Sequence, residues 1–413
     1  MRASTQEVQK TYEKTYDVII VGAGPAGSTV ARLCAAEGLE TLLLDKKEFP
    51  REKPCGGGLT LAAVNELEKT GLDLPPDIPE AKAYMFRAFS GHRRIEVSFA
   101  EPYCYLVKRA TFDAFLLEKA RAAGACFMGG IDVTEVASET VQRPPLMQVR
   151  ASNRLLFKGR VVVGADGALS KVAKAIRRPL PPKDTGFCLS ADIPKEDFRN
   201  PISTDTGLDI WYGFVPHGYG WVFPKRETYS IGLGASLSSF RNPKAALREF
   251  LLKLKGSDNE TTGEVEALAK RFKGHFIPIG GYIEPVVADG IVLVGDAAGF
   301  ADPFTGEGIR YAITSGRLAA EAIISCLKKG LPPTRYNLLP YERAAKTTIG
   351  PNLRYAKWLG AGFYRSPGRL LDIYFSDPEA CRVCLGILTG DTTYRALLKP
   401  LILKVGRRLI LSR

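Results

Sequence analysis

The segment DVIIVGAGPAG at Asp17–Gly27 constrains this chain more than any other. Its apolar opening reads as a strand buried on both faces. The strand runs directly into Gly22, Gly24 and Gly27, then into STVARLCAAEG, whose apolar residues recur at helical spacing and stop at Gly38. ETLLLD supplies a second strand, so the N-terminus predicts a strand–helix–strand unit opening an α/β domain. Each glycine has a physical reason. Gly22 permits the tight turn, Gly24 lets backbone approach a pyrophosphate, and Gly27 lets helix and strand pack closely, with Ala26 in the same turn. The first helical amides then face the anion. Asp45 ends the second strand, 18 residues after Gly27, where a carboxylate binds ribose hydroxyls. A dinucleotide is therefore expected, and this segment alone leaves NAD and FAD both open.

At 413 residues the chain exceeds one core of the usual ~100–200 residues, so two or three lobes are expected. Thr111–Gly124 reads as an amphipathic helix with Thr111 as N-cap, GRVVVGAD as a strand, and GIVLVG as another buried strand before a helical pattern from about Gly306 to Lys328. Between these pieces, Lys82–Val107 and Thr185–Tyr282 alternate Tyr, Phe, Val and Ile with polar residues, the mark of an antiparallel sheet with one covered face. The expected organisation is a discontinuous nucleotide domain (15–80, 105–180 and 283–330), an inserted β-sheet domain (81–104 and 181–282) and a helical C-terminal region (331–413) broken by Pro351, Pro367, Pro378 and Pro400.

The net charge of +13 is concentrated late: from Leu331 to Arg413 there are 14 basic and 5 acidic residues. Charge of this kind speaks to partners and not to fold. No interleaved stacking platform accompanies it, so nucleic acid is not expected as a partner. The tail ALLKPLILKVGRRLILSR mixes apolar residues with Lys399, Lys404, Arg407, Arg408 and Arg413. It reads equally as a packed terminal helix with snorkelling cations or as a peripheral membrane contact. No apolar stretch approaches the ~20 residues of a membrane-spanning helix, and the first 16 residues lack a signal-peptide core. A cytoplasmic protein is expected, with the inner face of the cell membrane as the candidate docking surface. Eight scattered cysteines suit a reducing compartment. The three histidines show no metal spacing, and Cys381–Cys384 lacks a second pair, so no metal site is expected.

The second half of the chain resolves the cofactor. GIVLVGDAAGFADPFTGEGIRYAITSGRLAAEAI resembles the second flavin-contacting motif of the para-hydroxybenzoate hydroxylase-like superfamily of FAD-dependent reductases and hydroxylases, and VVVGADGALSKVAKA resembles its middle motif. The resemblance implies FAD, a Rossmann-type FAD-binding domain with an inserted antiparallel β-sheet substrate domain, and a helical C-terminal region. It assigns Asp296 to a ribityl hydroxyl and the amides of Gly308 and Ile309 to the flavin N1–C2=O edge, where a helix N-terminus stabilises anionic reduced flavin. Cys55, Gly56 and Gly58 in FPREKPCGGGLT match positions along the isoalloxazine, Arg109 matches a cofactor-contacting arginine, and Val133 the position whose backbone holds adenine. One departure is Asp45, where the superfamily more often has Glu.

PHGYGWVFP at Pro216–Pro224 matches the PxxYxWxFP signature of geranylgeranyl reductases, which saturate C=C bonds in isoprenoid chains of archaeal membrane lipids, chlorophyll precursors or quinones. The resemblance spans roughly Tyr16–Leu331. Tyr219, Trp221 and Phe223 alternate, so they share one face of a strand, and an aromatic face suits a long apolar chain. Trp211 is a further expected substrate contact. An isolated trisubstituted alkene has no carbonyl to accept charge, so a proton must accompany hydride, and aromatic faces can stabilise the developing cation. Cys55, Tyr219 and Trp221 are the expected catalytic residues. The implied partners are an isoprenoid lipid substrate and an electron donor, either NAD(P)H or a ferredoxin-like carrier. Two competing readings stand beside this one: an FAD monooxygenase or halogenase, and a non-catalytic isoprenoid-binding protein on the same fold.

Overall fold

Thr15–Val21 is apolar on both faces because it lies inside a parallel sheet, between Leu156–Gly164 on one side and Thr41–Leu44 on the other. The computed structural model describes residues 14–139, 146–198, 206–255, 261–365 and 377–397. Its first sheet runs Val287–Ala288, Ile291–Leu293, Leu156–Gly164, Thr15–Val21, Thr41–Leu44 and Cys126–Met128, with Met147–Ala151 and Val133–Ser138 branching antiparallel from it. The helices Pro25–Ala36 and Ile309–Lys328 cross at close range. A Cβ on Gly316 would stand 2.8 Å from the Ala26 carbonyl oxygen, so only glycine lets the two helices meet.

A second sheet has seven strands in the order Lys273–Pro278, Thr185–Pro194, Thr228–Ser236, Gly218–Pro224, Gly207–Tyr212, Met85–Ser90 and Arg93–Ser98. These strands come from the two segments whose alternation predicted an antiparallel sheet. One pair departs from that expectation: Gly207–Tyr212 and Met85–Ser90 run parallel. They lie in separate excursions of the chain, and the long crossover that parallel neighbours require is the intervening nucleotide domain. Arg87 and Asp209 sit opposite each other in this pair, 2.6 Å apart and fully buried. A one-residue slip would strand both charges, which fixes the register. The helices Pro243–Lys255 and Thr261–Ala269 stand beside this sheet, and Leu247, Phe250 and Leu254 pack into one core with Trp211 and Val222. A small third sheet joins Gly58–Thr60, Cys104–Val107 and Pro79–Ala83.

Local readings needed adjustment at helix ends. The helix expected from Thr111 starts at Arg109, and Lys108 occupies the N-cap without a side-chain hydrogen bond. The prolines of the C-terminal region begin helices more than they break them. Pro351 is the second residue of Gly350–Arg365 and Pro378 the first of Pro378–Thr389, positions where the missing N–H is no loss. Pro340 lies inside Arg335–Thr348. Pro367, Pro400 and the basic tail after Pro400 lie outside the described residues. No helix among the described residues is long and apolar enough to cross a membrane.

Candidate active site

At the end of Thr15–Val21 the glycine turn is set by contact distances. Gly22 has φ +104°, and a Cβ there would lie 2.3 Å from the Ala165 carbonyl oxygen. A Cβ on Gly27 would lie 1.8 Å from the Gly22 carbonyl oxygen. Gly24 is different: its would-be Cβ meets only the Arg51 guanidinium, at 3.7 Å. Gly24 caps the helix without a side-chain hydrogen bond, leaving the first amides free for an anion beside that guanidinium. Asp45 accepts the Ala23 N–H at 2.8 Å and the Lys47 N–H at 2.9 Å, which orients its carboxylate at the strand end. Val133 is buried in the same core, opposite Ala151.

From Gly24 and Ala26 a cavity of about 380 Å³ runs past Asp296, Gly308 and Ile309 into the space between the seven-stranded sheet and the C-terminal helices. Asp296 is the second residue of the short helix Gly295–Ala298, and its Oδ1 lies 3.4 Å from where Gly308 would carry a Cβ. Gly308 caps the 20-residue helix Ile309–Lys328, again without a side-chain cap, so a second set of helical amides faces the cavity. Arg109 lines the wall and makes two hydrogen bonds to Asp113, at 2.7 and 2.6 Å, while Arg51 approaches the same carboxylate at 3.1 Å. Burial works against the Asp113 charge, but Arg109 and then Arg51 outweigh it and hold the carboxyl below its ordinary value. Lys53, buried beside Arg109, is pushed down by desolvation first and by that neighbour second. Two uncapped helix termini, glycines that admit no Cβ, an oriented carboxylate and this guanidinium cluster fit FAD.

The other end of the cavity is apolar. In Gly218–Pro224 the side chains of Tyr219, Trp221 and Phe223 line it, while Gly220 faces away against Phe250. The neighbouring strand pairs Ile210 with Trp221 and Trp211 with Gly220. Leu208, Ile210 and Tyr212 therefore join the cavity wall and Trp211 does not. This corrects the expectation for Trp211: its ring stacks on Phe89 at 4.2 Å and meets Phe214 and Phe250 in the core on the far side of the sheet. Odd and even positions separate by face, and Trp211 falls on the wrong parity. The Trp221 indole lies over Gly232, where a Cβ would stand 2.1 Å from the ring. Gly56 abuts Phe223 and Trp221, with would-be Cβ distances of 2.9 and 3.3 Å, and Gly58 sits 3.5 Å from Cys104 Sγ on the same measure. The Cys55 sulfur accepts the Gly57 N–H at 3.4 Å, and its side chain faces Arg109. The Tyr219 hydroxyl donates to the Thr305 carbonyl.

Further parts of the wall carried no sequence assignment. Glu307 lines the cavity with one oxygen accepting the Thr60 hydroxyl and the other buried without a partner among the described residues; burial pushes its pKa up to about 7. His275 lines it too, with Nε2 unpartnered among the described residues and a pKa pushed down to about 3 by burial, then by Lys53 and Arg109. Cys188 lies nearby, its thiol raised to about 12 by burial. The C-terminal helices close the cavity with Leu359, Phe363, Leu385 and Ile387. Glu307 had a local signal, standing between Gly306 and Gly308 at a helix start; His275, Cys188 and the C-terminal helices are brought in by topology.

The family described as FAD binding domain matches residues 15–335. Geranylgeranyl diphosphate reductase of Rhodobacter capsulatus is 33% identical over 331 residues, 77% of each chain. Digeranylgeranylglycerophospholipid reductase of Methanocella arvoryzae is 31% identical over 350 residues, 82% of this chain and 84% of that one. Among solved structures, a geranylgeranyl bacteriochlorophyll reductase-like protein of Thermoplasma acidophilum superposes with a TM-score of 0.74 over 95% of this chain and 99% of its own, at 23% identity. With the flavin cradle and the aromatic wall in one cavity, these matches identify the chain as a member of the geranylgeranyl reductase family of FAD-dependent oxidoreductases.

Proposed function

We propose that the protein saturates C=C bonds of a geranylgeranyl chain carried by a membrane lipid precursor. The observation that carries this reading is the continuity of the cavity: amides and Asp296 at one end, and Tyr219, Trp221 and Phe223 along an apolar wall at the other. When bound, FAD in its reduced form supplies hydride. The chain's own residues do the rest. The apolar wall binds a polyprenyl chain by area and excludes water from the reacting bond. The faces of Tyr219 and Trp221 stabilise positive charge developing on the more substituted carbon. Uncapped amides at Gly308 would favour negative charge on a cofactor held there. Cys55 lines the cavity with its side chain toward Arg109. An external donor, NAD(P)H or a ferredoxin-like carrier, restores the electrons. Peripheral docking of the basic tail would bring the cavity to its lipid.

The test is anaerobic incubation of dithionite-reduced protein with geranylgeranyl-bearing lipids, followed by mass spectrometry. Gains of two hydrogens per reduced bond support the reading. Reoxidation only by oxygen, with oxygenated or halogenated product, overturns it in favour of a monooxygenase or halogenase.

A further inference from the structure

Alkene saturation needs a proton as well as hydride, and the cavity holds few groups able to give one. Tyr219 already donates its hydroxyl to Thr305, and burial pushes its acidity far out of the physiological range. Glu307 differs from it in place and in state. Its two neighbours mark the junction of the cavity's ends: a Cβ on Gly306 would lie 3.0 Å from the Tyr219 hydroxyl, and one on Gly308 3.4 Å from Asp296 Oδ1. The Glu307 carboxyl is thus anchored between the flavin-facing terminus and the aromatic wall. One oxygen accepts from Thr60, whose own hydroxyl oxygen accepts the Ala63 N–H and is thereby oriented. The other oxygen is buried with no acceptor or donor among the described residues. A carboxylate so placed would leave a charged oxygen unsatisfied, whereas a neutral carboxyl has an O–H to give.

Resting on the proposed reductase activity, we infer that Glu307 is the proton donor for alkene saturation. The step balances. Hydride from the reduced flavin forms one C–H bond, the Glu307 proton forms the other, and the π bond is lost. The flavin is oxidised by two electrons, and Glu307 is left as carboxylate. Thr60 then hydrogen-bonds that carboxylate, and the Arg310 charge favours it until solvent returns the proton after product release. The charged and titratable groups facing Glu307 are Asp302, Arg310 and Tyr311 from its own loop and helix, Cys104 from the small sheet, and Tyr394 from the C-terminal region. Burial is the largest influence and Arg310 the main opposition, and the net effect places the carboxyl near neutrality.

Glu307→Gln keeps the shape and removes the proton. Flavin content and dithionite bleaching of the variant should match the parent enzyme. Single-turnover reduction of a geranylgeranyl lipid by the pre-reduced variant should fall by about 100-fold or more, as expected for loss of a general acid. Glu307→Asp should recover part of the rate. The parent rate should fall as pH rises through about 7, and the variant should lose that break. An infrared pH titration of the holoenzyme should show a protonated-carboxyl band near neutrality that Glu307→Gln removes. Unchanged single-turnover rate in Glu307→Gln, a parent rate flat through neutral pH, or no such band overturns the inference. A parent enzyme that does not reduce the lipid at all refutes the reductase reading instead, and the infrared band then still reports on Glu307.

Discussion

The two ends of the cavity are specified by different chemistry. At the nucleotide end the determinants are backbone: positive φ at Gly22, the forbidden Cβ on Gly27, and free amides at two helix starts. At the chain end they are side chains, the rings on one face of Gly218–Pro224 and the aliphatic groups of helices far away in sequence. Backbone requirements tolerate almost no substitution. A greasy surface tolerates many, provided area and volume are kept.

Gly27→Ala should break the comparison most severely. A methyl 1.8 Å from the Gly22 carbonyl forces the helix off the strand, and the purified protein should carry no yellow chromophore. Flavin at parent stoichiometry would show that the turn is less constrained than its geometry states. Next comes a pair on opposite faces of one sheet. Trp211→Ala should cost about 3–5 kcal/mol of unfolding free energy, because it empties a core site against Phe89 and Phe250. Trp221→Ala should keep flavin and lose most lipid reduction. Denaturant titration and single-turnover assay separate them, and a reversed pattern would put the substrate on the other face.

Acid tests the seam between the ends. The His275 pKa in the folded protein lies below its unfolded value, so the unfolded chain binds the extra proton first. Its contribution to stability is present above pH 6.5 and is lost as pH falls from 6.5 toward 3. His275→Gln should flatten part of that decline in denaturant midpoints, and an unchanged slope would remove His275 as a source. The smallest effect is expected at Asp45. Asp45→Ala should weaken flavin binding by about tenfold, the order of ~1.4 kcal/mol for charge-assisted hydrogen bonds lost at the ribose. Retained affinity would mean that the Ala23 and Lys47 amides are its sole partners.

The difference between the ends also governs what could be read in the chain alone. The glycine turn and Asp45 could be read from local rules of residue type and spacing, whereas Asp296 and the Gly308 helix start were read through the resemblance to the flavin-contacting motif. Parity put Tyr219, Trp221 and Phe223 on one face of a strand, and the PxxYxWxFP resemblance, not parity, pointed that face at a substrate. Trp211 was misplaced because the parity of a neighbouring strand depends on register, and register is set by partners such as Arg87 and Asp209 that are 122 residues apart. His275, Cys188 and the roof helices were invisible for the same reason: nothing local marks a residue that becomes a wall only when distant segments meet. Glu307 was seen as part of a helix start, yet its role depends on Thr60, 247 residues away.

The roof of the cavity comes from helices at the far end of the polypeptide, while the redox machinery is assembled from motifs threaded through the rest. Exchanging Leu359, Phe363 or Ile387 therefore reshapes the apolar end of the cavity and leaves the glycine turn at Gly22–Gly27 and the Asp296 carboxylate as they are.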